Sequence, residues 1–133
     1  MRALLDTSVL IARESPGDVE GAISAASLAE LHFGVLVASS DDERARRSQR
    51  LGVIEATFDP LPVDAAVARE WARLAAALVN RGGQPRRRAV DLLIAATANV
   101  HNVPLLTRNP KDFTLIADLV ATREPRVGER TSR

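Results

Sequence analysis

The stretch Ala3-Leu4-Leu5-Asp6-Thr7-Ser8-Val9-Leu10-Ile11 decides how the rest of the chain is read. Its first three residues form a continuous apolar run, the pattern of a parallel strand covered on both faces rather than of a strand with one face in water. Asp6 then interrupts the run, and Thr7 to Arg13 reads as a short helix stopped by the Ser15-Pro16-Gly17 turn. A carboxylate between strand and helix lies beyond the carboxyl end of the strand, where the ligand crevice of an open α/β sheet forms.

Outward from there the elements alternate. Ala22-Ile23-Ser24 predicts a second short strand, Ser27 to about Ala38 a helix, and Asp41 to about Glu55 a charged helix that pairs with it as a hairpin. Asp59-Pro60-Leu61-Pro62-Val63 is extended, because each proline biases its predecessor away from helix. Asp64 is placed to cap the helix Ala65 to Asn80, whose Val67, Trp71, Leu74 and Leu78 recur at helical spacing until Gly82-Gly83 stops it. A loop from Gly82 to Arg88 ends in three arginines. Ala89 to Val100 reads as a small apolar helix, Val103 to Leu106 as a strand, Asn109 to Phe113 as a helical turn, Leu119 to Thr122 as a last strand and residues 124–133 as a polar tail. This alternation predicts an α/β fold with a central parallel sheet and helices on both faces.

Composition narrows the chemistry. With 133 residues, 46% of them apolar, the chain suffices for one core, and 17 acidic against 18 basic residues give a net charge of +1 that argues neither for nor against a nucleic-acid partner. The absence of cysteine excludes disulfides, thiolate metal sites and cysteine nucleophiles. No apolar run reaches the roughly 18 residues of a membrane span, and Asp6 arrives too early for a signal peptide, so a cytoplasmic protein is expected. Every cation but Lys111 is arginine, which favours forked contacts to phosphate or carboxylate. The four aromatic residues include no tyrosine, which disfavours a base-stacking platform.

Three carboxylates interrupt apolar sequence: Asp6, Glu30 between Leu28-Ala29 and Leu31, and Asp91 between Val90 and Leu92-Leu93-Ile94. Buried without compensation, each would cost several kcal/mol, so a cation or hydrogen bonds must meet it. Asp112 is a fourth, directly after the strand ending at Leu106. Each also has a structural explanation: Ser27-x-x-Glu30 matches a capping box, Asp6 is placed to cap the next helix, Asp91 lies in a first helical turn and Asp112 in an ordinary turn. Three separate caps do not explain why Asp6, Glu30 and Asp91 are each embedded in apolar sequence near the expected same end of a parallel sheet. If they converge, an oxygen-only ligand set points to Mg²⁺ or Mn²⁺, and with no glycine-rich phosphate loop the arrangement suits phosphodiester hydrolysis. Thr7, Ser8, Thr107 and Asn109 are candidates to orient the acids. His32 and His101 show no ligand spacing.

Four ordered motifs carry a resemblance: Asp6-Thr7-Ser8-Val9-Leu10-Ile11; Ser24-x-x-Ser27-Leu28-Ala29-Glu30-Leu31-x-x-Gly34; Asp91-Leu92-Leu93-Ile94-Ala95-Ala96-x-Ala98; and Leu106-Thr107-x-Asn109-x-x-Asp112-Phe113. From about residue 2 to 122 the chain resembles the PIN-domain ribonucleases, specifically VapC toxins. The resemblance implies a three-layer α/β/α PIN fold over residues 1–123. It implies a Mg²⁺- or Mn²⁺-dependent endoribonuclease with Asp6, Glu30, Asp91 and Asp112 as catalytic, metal-holding acids and Thr7, Ser8, Thr107 and Asn109 in support. It further implies a homodimer, an RNA substrate such as transfer RNA, and a VapB-type antitoxin. The spacing from Asp6 to Glu30 is shorter than the family leads one to expect, so the helical cover at that edge should be trimmed.

Two other functions are kept open. A phosphoacceptor receiver domain would use Asp6, Asp59, Thr107 and Lys111, although it leaves Glu30 and Asp91 unexplained. An inert PIN-like module would bind without cutting. Arg86, Arg87 and Arg88 are read either as an RNA-phosphate patch or as a solvated loop. The apolar residues Leu28, Leu31, Val35 and Leu36 are read as an association surface.

Overall fold

The opening apolar run forms β1 (Arg2–Leu5), one of the two inner strands of a four-stranded sheet. A computed structural model describes residues 1–12 and 19–125; the expected Ser15-Pro16-Gly17 turn, the helix end at Arg13 and residues 126–133 of the tail lie outside the described residues. After β1 come α1 (Thr7–Leu10), β2 (Glu20–Ala22), α2 (Ala25–Leu36), α3 (Asp41–Thr57), α4 (Ala65–Asn80), α5 (Ala89–Val100), β3 (Leu105–Leu106) and β4 (Thr122–Arg123). Two 3₁₀ segments, Pro85–Arg88 and Pro110–Ile116, precede α5 and follow β3. The strand order is β2-β1-β3-β4 and every pairing is parallel, as the continuous apolar strands predict.

Alternation along β1 divides the core into two layers. Leu4 and Leu105 pack on one face with Val67, Leu74 and Leu78 of α4 and Leu92 and Ala95 of α5. Ala3, Leu5 and Leu106 face the other side, against Val9, Leu31 of α2 and Leu51 and Ile54 of α3. Helices thus cover both faces.

Several boundaries differ from the sequence reading, each for a local reason. The strand paired with β1 is Glu20–Ala22, and the extended chain runs on through Ser24, which bridges Leu61 in parallel; Ser24 Oγ then accepts the Ala26 N–H at 3.0 Å and starts α2 at Ala25, two residues before the expected Ser27. The capping box therefore does not exist: Ser27 is a buried residue inside the helix and Glu30 is released for another role. The 82–88 loop closes into a 3₁₀ turn over Pro85–Arg88, since proline at the first position pre-sets its φ. The last strand is Thr122–Arg123, not 119–122. Asp64 does cap α4, accepting from Val67 N–H at 3.0 Å.

The expected association surface also changes. Leu31 is buried and Leu28 and Val35 pack against the second core layer, so only Leu36 of the four is exposed. On the same hairpin, Phe33 and Val37 of the α2 end and Val53 of α3 are also exposed.

Candidate active site

The β1–β3 register builds the centre of the site. Leu5 stands opposite Leu106, so the next residues, Asp6 and Thr107, meet just beyond the sheet. Asp6 is 7% exposed and its side chain accepts no amide of α1; its carboxylate instead accepts from Ser8 Oγ at 2.7 Å and Thr107 Oγ1 at 2.9 Å. Each hydroxyl is in turn fed by the backbone, Ser8 Oγ accepting from the Arg108 amide and Thr107 Oγ1 from the Asn109 amide, both at 3.1 Å. These are short polarised chains, amide to hydroxyl to carboxylate, that fix where Asp6 points. Asn109 takes part through its backbone.

Glu30 reaches the same end from α2. Its Oε1 accepts from Thr7 Oγ1 at 2.6 Å, and Ser27 Oγ lies 3.0 Å from the same hydroxyl. Thr7 thus ties the start of α1 to the second acid. Asp91 enters from the first turn of α5 and Asp112 from the 3₁₀ segment after β3. Arg88 joins them, with Nη1 3.4 Å from Asp91 Oδ2 and 3.3 Å from Asp112 Oδ1. Trp71 anchors this corner by donating its indole N–H to the Ala89 carbonyl at 3.0 Å, tying α4 to the start of α5.

The electrostatics register the gathering. Burial pushes the Asp91 carboxyl above the usual carboxylate range, the negative charges of Asp6, Glu30 and Asp112 push it further, and the Arg88 hydrogen bond pulls partly against them. Asp91 therefore stands within electrostatic reach of the three other acids, which come from different elements. Their donor set is oxygen only and fits a hard divalent cation, which would relieve that repulsion. With Glu30 turned to Thr7, and Asp91 and Asp112 turned to Arg88, no three acidic or histidine side chains among the described residues form a closed ligand cage.

The comparisons decide the family. A PIN-domain model matches residues 3–119. Ribonuclease VapC5 of Mycobacterium tuberculosis is 42% identical over 122 residues, covering 85% of this chain and 86% of the relative, and Ribonuclease VapC4 of the same organism is 36% identical over 89% of this chain and 93% of its own. This chain belongs to the PIN-domain VapC ribonuclease family. The fold agrees: the crystal structure of VapBC-5, a member of the VapBC family of toxin–antitoxin systems from M. tuberculosis, superposes with a TM-score of 0.80 at 37% identity, covering 95% of this chain and 98% of that one.

Within the PIN fold, the receiver-domain alternative has no site. Asp59 is exposed in the segment between α3 and α4, not at the end of a sheet strand. The arginine run, read as one unit from sequence, divides: Arg88 faces the acids while Arg86 and Arg87 are exposed without an acidic partner among the described residues. Neither histidine approaches the acids; His32 lies 3.4 Å from Glu55 and His101 ends α5. Trp71 and Ser27 also support the site, although in sequence their spacing reads as core and cap respectively. A further cavity of about 690 Å³ opens beside Val103 and Pro104, where Arg73 and Asn99 both donate to Glu70.

Proposed function

We propose that this VapC-family chain is a Mg²⁺- or Mn²⁺-dependent endoribonuclease, the toxin of a toxin–antitoxin pair. The observation that carries the reading is the convergence of Asp6, Glu30, Asp91 and Asp112 at the carboxyl end of β1 and β3, with the Asp91 carboxyl raised by burial and then by the charges of the other three. These four acids would hold the ion, Asp6 foremost because two hydroxyls fix its carboxylate in one orientation. The bound ion supplies activation of the attacking water and charge relief on the leaving oxygen of the phosphodiester. The protein's own part is orientation: Thr107 and Ser8 hold Asp6, Thr7 holds Glu30, and α5 carries Asp91 on a helix that Trp71 fastens to α4. Arg88 is a movable countercharge, placed to follow a phosphate when the acids take up a cation.

The name of VapC5 supports RNA as substrate, and the VapBC-5 complex supports an antitoxin as partner. A homodimer is proposed with them, its apolar contact supplied by Phe33, Leu36, Val37 and Val53. No helix among the described residues is long and apolar enough to cross a membrane. The decisive test is incubation of the purified chain with total RNA, transfer RNA included, with EDTA, Mg²⁺ or Mn²⁺, followed by mapping of the ends. Metal-dependent cuts that vanish in Asp6→Asn bear the reading out; RNA left intact under every condition, with bound RNA still detected, assigns an inert binding module instead.

A further inference from the structure

Beside the four acids lies a cleft of about 340 Å³ between the end of α4 and the segment after β3. It is continuous with the candidate site, because Arg88 and Asp112 line both. Its floor is apolar and close: Leu78 and Leu115 approach Gly83 so tightly that a Cβ there would stand 2.5 Å from Leu78 Cγ and 3.1 Å from Leu115 Cδ1. Gly82, at φ +85°, makes the turn that opens this floor, a conformation that other residues rarely adopt. Arg87 and Lys111 stand on its walls with Gln84 and Thr114.

Two of the three cations on the cleft are unspent. Arg44, Arg46, Arg47, Arg73 and Arg81 each pair with an acid. Arg87 and Lys111, like Arg50, Arg69 and Arg86, have no acidic partner among the described residues; what sets these two apart is that both line one cleft that adjoins the acids. Asp112 is the single acid on the lining, and Arg88 already faces it. A narrow space with two unpaired cations, an apolar floor and a neutral amide suits a group with an anionic end and a flat heterocyclic one. Such a unit next to a phosphodiesterase centre is a nucleotide.

Resting on the ribonuclease reading, we propose that this cleft seats the nucleotide adjoining the scissile phosphate of single-stranded RNA, with Arg87 and Lys111 on its phosphate and Gln84 beside its base. Arg86 lies outside the lining and has no part in it. With no aromatic side chain on the walls, the grip is electrostatic and sequence-tolerant, and any base preference at this position comes from the Gln84 amide.

The test uses the full chain carrying Asp6→Asn to stop turnover, and a fluorescein-labelled single-stranded RNA 12-mer in Mg²⁺, read by anisotropy across salt concentrations. Adding Arg87→Ala and Lys111→Ala should lower affinity about tenfold and flatten the slope of log K against log salt by about 1.4, two single-strand phosphate contacts at roughly 0.7 each. Both residues are exposed, so the melting temperature should stay unchanged. The control pair Arg50→Ala and Arg69→Ala, exposed on α3 and the first half of α4, should leave the slope as it was. In the active chain, Gln84→Ala should redistribute cuts among bases adjoining the scissile bond. RNA binding with affinity and slope unmoved by the cleft pair, or moved equally by the control pair, overturns the cleft assignment and leaves the nuclease reading intact. A chain that neither binds nor cuts RNA overturns both.

Discussion

The Arg88 guanidinium stands between Asp91 and Asp112, 3.4 Å from one carboxylate and 3.3 Å from the other. It occupies the position of a countercharge among acids that repel one another, and a divalent ion would compete with it for the same oxygens. The pair of contacts is half-exposed, so their own worth is small, roughly 1 kcal/mol or less. Arg88→Ala should therefore cost the metal-free protein only a few degrees of melting temperature, roughly, while raising its affinity for Mn²⁺ several-fold. Melting curves with and without Mn²⁺ check this; an equal metal-induced rise in both proteins would show that Arg88 does not compete.

Asp6→Asn and Asp91→Asn separate a metal centre from unrelated helix caps. Asn caps a helix about as well as Asp, so under a capping role activity would survive. A centre of mutually repelling carboxylates instead loses cleavage by about 100-fold or more, the scale of removing one group that stabilises charge in the transition state. The metal-free fold of Asp91→Asn should be as stable as the parent or firmer. Initial cleavage rates and thermal melts on the same samples decide it.

Thr107 is fully buried and links the Asn109 amide to Asp6. Thr107→Val keeps the shape but strands that amide and removes one donor from the carboxylate, at a cost of about 1–3 kcal/mol. Denaturant unfolding should show that loss, and RNA cleavage should fall with it. Thr107→Ser restores the hydroxyl and should recover most of the cleavage; failure of Ser to rescue would mean that the methyl packing, not the hydrogen-bond chain, matters.

The raised Asp91 carboxyl has a consequence for pH. A carboxyl whose folded-state pKa lies above its unfolded one binds its proton more tightly in the native state, so it contributes stability below the ordinary value near 3.8 and loses that contribution as pH rises through the raised value. Without metal, the parent should lose stability relative to Asp91→Asn as pH rises through that interval. Metal binding needs the ionised acid, so Mg²⁺-induced stabilisation should weaken as pH falls through the same interval. Melting temperatures of both proteins from pH 4 upward, with and without Mg²⁺, test the two signs together.

Much of the architecture was legible because local chemistry and tertiary packing agree. The apolar run at Ala3-Leu4-Leu5 is buried on both faces of a parallel sheet, Asp64 caps α4, and Val67, Leu74 and Leu78 pack inward at the helical period that marks them. Legibility failed where one residue had two local uses. Ser24 and Ser27 both precede the apolar face of α2, and a capping box on Ser27 is the better pattern in sequence alone; Ser24 wins because the extended chain is held against Leu61 up to Ser24 and turns into helix directly after it. That choice places Glu30 one turn deeper in its helix, facing Thr7.

The sequence by itself determined which acids stand out, since an acid embedded among Leu, Ile and Val is conspicuous without any coordinates. It determined the parallel sheet, because doubly covered strands have no polar face to alternate. Only the tertiary structure decided the partners. Asp6 and Thr107 are 101 positions apart and meet because β1 and β3 pair with Leu5 opposite Leu106. Arg86, Arg87 and Arg88 are indistinguishable in a string, yet a 3₁₀ turn advances about 120° per residue and aims the three side chains in different directions: one into water, one into the cleft and one at the acids. Side-chain direction over long sequence separation is a property of register and helix phase, and no local pattern encodes it.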